Sequence, residues 1–304
     1  MMRLGDVYFI EYTDADGTAN LLRLAGKWGL IDKGNFGSPP IEYLTQAHFQ
    51  GHGEEVLNYR LTPRQIGLNV FRQAAQDRTE YWQNRQQLLD AIRPNYLAPA
   101  KLLLIRKDGS KRALDIRPDS GAPFEPLGEG SANLAISQVV QVVAHNPIWY
   151  DPTATAPSIS TDVEDDLIFP ITFPITFGSS GAISSTGDLA YDGTWKTYPK
   201  ITLTGAYSQA TIINTATNIS FALIKSVASG DQRIIELDPN VGRSITNAAG
   251  NEKMSDLSDG SNLVDFAIFP ASEVSGTQKI NISLKGTDGS TAIAVQYYKQ
   301  YYGI

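Results

Sequence analysis

The sequence contains no cysteine, so its fold can use neither disulfides nor a thiolate metal site. It has no apolar run of about 18 residues, the length a membrane-spanning helix needs. Its first residues, MMRLGDVYFIEY, lack an apolar signal region and open directly on a strand pattern, so no secretory signal is expected. Charged residues make up only 19% of the chain, and the formal net charge is −7. A nucleic-acid binder needs a basic stripe to displace counterions. The densest basic group is Arg106, Lys107, Lys111 and Arg112. It flanks Asp108-Gly109, a hairpin turn signal, and reads as a solvated hairpin tip.

Catalytic constellations are equally scarce. There are three histidines, His48, His52 and His145. His48 and His52 sit in HFQGH, which lacks the glutamate of a zinc-protease helix and carries Gly51 inside the spacing. Gly26-Lys27 is followed by Trp28 rather than Ser or Thr, so it is no phosphate loop. No G-x-S-x-G elbow occurs. Asp162, Glu164, Asp165 and Asp166 offer oxygen ligands for calcium, as do Asp256 and Asp259 before Gly260, but neither group has calcium-loop spacing. Both read better as solvated segments. No catalytic, cofactor-binding or metal-binding residue is assigned, and neither enzymatic activity nor a cofactor is expected.

With 304 residues the chain is long enough for two domains, and 42% apolar residues can fill two cores. Residues 7–11 and 21–24 read as a hairpin around the DADG turn. A loop rich in Gly and Pro follows at 34–40. Residues 56–61 and 66–71 are strands, the second placing Ile66, Leu68 and Val70 on one face. The spacing predicts one helix over 78–93. Asp77 or Thr79 can cap it, Tyr81, Leu88, Leu89 and Ile92 form its apolar stripe with the stem of Arg85, and Pro94 ends it. Strands at 101–106, 112–116 and 131–143 complete a mainly β, barrel-like N-terminal domain over residues 1–150.

Residues 151–166 are rich in Thr, Ala, Pro, Ser and acid and read as a linker. Residues 167–304 contain no useful helical pattern. FPITFPITF at 169–177 alternates as an edge or bent strand, because its prolines cannot donate to a ladder. Further strands are expected at 200–203, 210–214, 219–224, 233–237, 263–268, 279–284 and 292–297, with Asp288-Gly289 closing a hairpin between the last two. This pattern predicts a C-terminal galectin-like or jelly-roll β-sandwich. Tyr297, Tyr298, Tyr301 and Tyr302 could stack on sugar rings or cover the sandwich. Alternation allows at most one of Tyr297 and Tyr298 in the core.

Between the two expected domains lies HNPIWYDP, residues 145–152. Its order within the chain resembles that of the distal tail proteins of long non-contractile-tailed bacteriophages, in which an aromatic-acid-proline motif ends the first domain. The residues that carry the likeness are Asn146-Pro147-Ile148-Trp149-Tyr150-Asp151-Pro152. They are joined by the RQIGL strand at 64–68, the R-x-x-L-L helix at 85–89, Tyr198-Pro199-Lys200-Ile201 at the start of the sandwich, and the ending Tyr301-Tyr302-Gly303-Ile304. The segment between Asn35 and Glu55 is longer and more polar than a barrel needs, which suits a contact with a neighbouring subunit.

The resemblance implies a structural virion protein of the tail tip, made and assembled in the host cytoplasm. It implies a homo-hexameric ring of N-terminal domains, joining the tail tube protein to the tail-tip hub. The sandwiches would carry receptor-binding or baseplate proteins, with DNA only passing through the lumen and no membrane partner. In this reading Pro147, Trp149, Tyr150, Asp151 and Pro152 form a hinge and clamp between the domains. An alternative from the residues themselves is a carbohydrate-binding, lectin-like module with the tyrosines as its platform.

Overall fold

A computed structural model describes residues 6–13, 17–49, 51–95, 98–122, 124, 134–157, 159–164, 181–275, 277–288 and 290–304. The FPITFPITF stretch lies outside the described residues. The protein is mainly β. It divides into two compact units, Met1–Pro152 with Tyr301–Ile304, and Thr153–Gln300.

The first unit contains β1 (Val7–Thr13), β2 (Ala19–Arg23), β3 (Trp28–Lys33), β4 (Ile41–Ala47), β5 (Glu54–Leu61), β6 (Arg64–Arg72), α1 (Arg78–Ala91), β7 (Ala100–Ile105), β8 (Lys111–Pro118), β9 (Ile136–Ala144) and β10 (Trp149–Tyr150). Its main sheet runs β2-β1-β7-β8-β9-β6-β3, with β10 beside β8. Strict alternation builds the inner face: Tyr8, Ile10 and Tyr12 of β1 point in, as do Ile66, Leu68 and Val70 of β6. Each such burial contributes roughly 1.5–3 kcal/mol. The inward row of β6 carries an arginine at each end, Arg64 and Arg72.

Helix α1 begins where Asp77 accepts a hydrogen bond from the Glu80 amide, while the Glu80 carboxylate accepts one from the Gln76 amide. The helix buries Tyr81, Asn84, Leu88 and Ala91. Arg72 fastens it to the sheet through the Asn84 side-chain oxygen at 3.2 Å and Glu80 at 3.3 Å. Leu89, expected on the stripe, is only partly buried, and Asn84 takes a core position in its place.

The second unit is a sandwich. Its strands are β11 (Ile159–Glu164), β12 (Gly181–Asp188), β13 (Lys200–Thr204), β14 (Gln209–Asn214), β15 (Ile219–Leu223), β16 (Gln232–Glu236), β17 (Ser244–Thr246), β18 (Lys279–Thr287) and β19 (Ala292–Gln296). One sheet runs β11-β12-β18-β14-β15 and the other β17-β16-β13-β19. Their inner faces enclose a core that includes Ile201, Leu203, Ile212, Phe221, Ile235 and Leu284. Arg233 is buried in this unit and is held by Asp256 at 2.8 Å and Asp231 at 2.9 Å. The last strand, β20 (Gln300–Tyr301), brings the chain back to the first unit's sheet.

Several expectations change. Residues 159–164, read as linker, pair as β11 with β12. Their composition is that of a loop, but the neighbouring strand supplies hydrogen-bond partners. β18 and β19, expected to form a hairpin around Asp288-Gly289, belong to opposite sheets, and Gly289 itself lies outside the described residues. Asp288 instead shapes a corner by accepting from the Ser290 amide at 2.9 Å. Residues 263–268 form no strand, although Leu263, Phe266 and Ile268 are buried, and only a single bridge joins Ile268 to Thr197. Arg112, assigned to a solvated tip, is buried with its guanidinium 3.3 Å from the Tyr301 ring centre. Asp256, read as solvated, is buried as Arg233's partner.

Candidate assembly surface

The segment between residues 35 and 55 was expected to be a polar loop. A third of it is the strand β4, which pairs with β5 to form a separate two-stranded hairpin, hereafter the arm. Every residue of β4 is exposed, and so are all but the last of β5. An isolated hairpin is at best marginally stable in water, so its composition is informative.

The register sorts the arm into two sides. Ile41 faces Leu61 and Tyr43 faces Tyr59. Residues directly opposite share a side, so these four lie together. A bulge after Leu44 pairs Thr45 with Val56 and leaves Leu57 as the extra residue. Thr45 is two residues beyond Tyr43, so Val56 continues the apolar side. The other side holds Glu42 and Arg60, ion-paired at 2.7 Å, with Leu44 and Gln46. Tyr43 is 57% exposed and Tyr59 53%. At the tip Phe49 is 96% exposed, and His48 and His52 are exposed beside it. The arm is therefore amphipathic, yet its apolar side stays largely exposed among the described residues.

The root of the arm is held firmly. The Gly34 amide donates to the Gly67 carbonyl at 3.1 Å, and the Thr62 amide donates to the Pro40 carbonyl at 3.0 Å. Asn35 adopts the left-handed conformation, φ 64°, and its side-chain amide donates to the Gln65 carbonyl. The turn drives Phe36 into the core, where it meets Tyr8 at 5.6 Å and Trp149 edge-on at 5.8 Å. Arg64 lies beneath. It is fully buried, and its guanidinium donates to the carbonyls of Asn35 (3.1 Å), Gly37 (2.8 Å), Pro147 (2.9 Å) and Tyr302 (3.4 Å). Desolvation pushes its pKa down from the usual arginine value, and Tyr302 acts the other way. Arginine stays charged nonetheless, so four carbonyl dipoles take the place of water.

The five residues expected to form a hinge and clamp all lie in the first unit. Pro147 is buried and offers its carbonyl to Arg64. Trp149 is fully buried in the first unit's core, and its indole N–H has no partner among the described residues. Tyr150 pairs with Ala113 and donates its hydroxyl to Asp115 at 2.8 Å. Asp151 and Pro152 are half-buried. The structure thus brings Pro147 and Trp149 together with the arm root, while Tyr150 faces β8. Arg64 escaped the sequence reading, although continuing the Ile66, Leu68, Val70 alternation by one step would have placed it inside.

In the second unit, a shallow cleft of about 680 Å³ is lined by residues that include Thr155, Asp188, Lys279 and Tyr297. Tyr297 is buried and Tyr298 is half-exposed, as alternation required. Tyr301 packs in the first unit's core, not on the sandwich. Among the described residues no three acidic or histidine side chains are grouped to hold a metal ion, and no helix is long and apolar enough to cross a membrane.

No family model matches the chain. No curated protein sequence matches it either. Solved structures do. The SPP1 Dit protein, described as a paradigm of the hub adsorption apparatus in phages infecting Gram-positive hosts, aligns with a TM-score of 0.60 at 10% identity, over 97% of this chain and 99% of that one. This chain has the Dit fold. A chain of the phage P2 baseplate, in its activated conformation with calcium, aligns with a TM-score of 0.54 at 11% identity, over 98% of this chain and 99% of its own. The strontium form of that baseplate gives 0.53 at 11% identity, with the same coverage. The resemblance read from motif order is borne out at the level of the fold, along nearly the whole length of both chains.

Proposed function

We propose that this protein is a structural, non-enzymatic component of a phage tail tip, a virion protein that assembles as a homo-hexameric ring of first units. The observation that carries the reading is the arm, whose apolar side of Ile41, Tyr43, Val56 and Tyr59 is left exposed among the described residues. The occupant that fits is the sheet of a neighbouring copy, which gives one patch meeting a different patch and closes a cyclic ring. The Dit fold, shared with a hub protein and a baseplate chain, supports the same role.

In this ring one face meets the tail tube protein and the other the tail-tip hub, and the second units carry receptor-binding or baseplate proteins. The ring is assembled in the host cytoplasm. A net charge of −7 per chain suits a lumen through which DNA passes without sticking, since carboxylates repel phosphates. Residues 147–152 act as hinge and clamp at the exit from the first unit. Pro147 and Pro152 fix φ there, and Trp149 anchors the segment.

Light scattering on the purified chain, with negative-stain images of the same fraction, tests the ring. The expected result is a mass of six chains and particles with an open centre. A monomer by both methods across the accessible concentration range refutes self-assembly through the arm. Binding of host-surface glycans by the chain, with no ring, replaces the reading with the lectin-like one.

A further inference from the structure

The last four residues, Tyr301–Ile304, belong to the first unit although 148 intervening residues (Thr153–Gln300) build the second. Their contacts are specific. The Tyr301 ring is buried in the first core beneath the Arg112 guanidinium. The Tyr302 carbonyl accepts from Arg64, which also holds the Asn35 and Gly37 carbonyls at the root of the arm and the Pro147 carbonyl. Gly303 lies against the same root, where a Cβ would come within 3.0 Å of the Gly37 carbonyl oxygen and 3.3 Å of its carbon. A side chain there would force the Gly37 backbone to give by a few tenths of an ångström.

We infer that residues 301–304 are a latch that sets the root of the arm. Arg64 is the shared centre. A buried guanidinium needs its donors satisfied, and its acceptors come from three segments far apart in sequence. Placing the Tyr302 carbonyl and Gly303 fixes the Asn35–Gly37 turn from below, and that turn sets where β4 departs. A consequence follows for synthesis: the root is completed only after the second unit has been made. An arm with an exposed apolar side is an aggregation hazard, and the latch delays its final setting until residues 301–304 have been made. The latch is independent of the ring reading, because it is measured on a single chain.

Hydrogen exchange read segment by segment on the whole chain tests it. The amides of Gly34 and Thr62 report the root, and those of β7 and β8 report the sheet away from it. Two variants are compared with the parent: Arg64→Met, and Gly303→Val, which leaves Arg64 and Tyr301 in place should the first fail to fold. The expected result is exchange faster by about tenfold or more at Gly34 and Thr62, the scale of one lost hydrogen bond to a charged group, with β7 and β8 unchanged. Unchanged root exchange in Gly303→Val overturns the latch. Equal acceleration of root and sheet overturns it too, since residues 301–304 would then be ordinary core. Loss of the ring with unchanged root exchange counts against the latch and leaves the arm's role in assembly standing.

Discussion

Replacing the two facing tyrosines of the arm, Tyr43→Lys together with Tyr59→Glu, should abolish assembly while leaving the chain folded. The two positions are directly opposite in the hairpin, so the new charges attract each other and keep the register, an interaction worth about 0.2–1 kcal/mol. What is lost is the apolar contact. Tyr43 and Tyr59 are 57% and 53% exposed. An aromatic side chain buries about 150–250 Å² in full, so covering the exposed part removes about 100 Å² from water for each ring. At about 25 cal/mol/Å² the pair contributes roughly 5 kcal/mol to each arm contact. That equals about three to four powers of ten in the contact's equilibrium constant, and desolvating two introduced charges adds to the penalty. Light scattering at matched concentrations reads the mass, and calorimetry reads the melting of each unit. The expected pair of results is a monomer that still melts cooperatively, with the second unit's transition unchanged and the first losing only what the ring contact gave it. A ring that persists at the parent's concentration shows that this side of the arm is not the contact. A monomer less stable than the dissociated parent at low concentration shows that the arm supports its own chain, and the reasoning from exposure fails.

Trp149→Ala should lower the first unit's stability by about 3–5 kcal/mol, because a fully buried ring leaves a cavity and Phe36 loses its partner. An unchanged first-unit transition in denaturant would contradict its place in that core. The Tyr207 hydroxyl is buried without a partner among the described residues, and burial pushes its pKa well up. Tyr207→Phe should therefore be neutral or raise the second unit's stability by about 1 kcal/mol, and a loss of that size would reveal a bond the hydroxyl makes. The Arg233 hydrogen bond, followed by the Gln232 amide, holds the Asp231 carboxyl below its ordinary value. A depressed folded pKa contributes stability above the unfolded value, near pH 3.9. That contribution is lost as the pH falls through the lower folded value. Thermal melts of the second unit should weaken below about pH 4, and Asp231→Asn should flatten that limb; an unaltered acid limb would show that the pairing does not matter.

How far the sequence reached depends on the kind of interaction. Local signals were legible where one residue's chemistry sufficed. Asp77 caps the helix and Pro94 follows its end, and the alternation of Ile66, Leu68 and Val70 gave the inner face of β6. The order of HNPIWYDP between a β-rich half with one helix and a β half pointed to the Dit fold, which the structure shares with a chain of only 10% identity. Strand β4 was missed because IEYLTQA looks polar and has no buried face to impose a period of two. Its partner β5 supplies the ladder, and pairing between distant segments leaves no mark in a local window.

The sequence by itself thus determined composition-level properties. These are two cores without disulfides, a helix with both ends marked, and strands such as β1 and β6 whose alternation is regular, since each depends on neighbours within a few residues. Only the tertiary structure decided that β18 and β19 lie in opposite sheets and that β11 is a strand. It also decided that Arg64 gathers carbonyls from Asn35, Gly37, Pro147 and Tyr302. A buried charge selects its partners by distance in space, and residues 238 apart become neighbours there only once the first unit has folded around both.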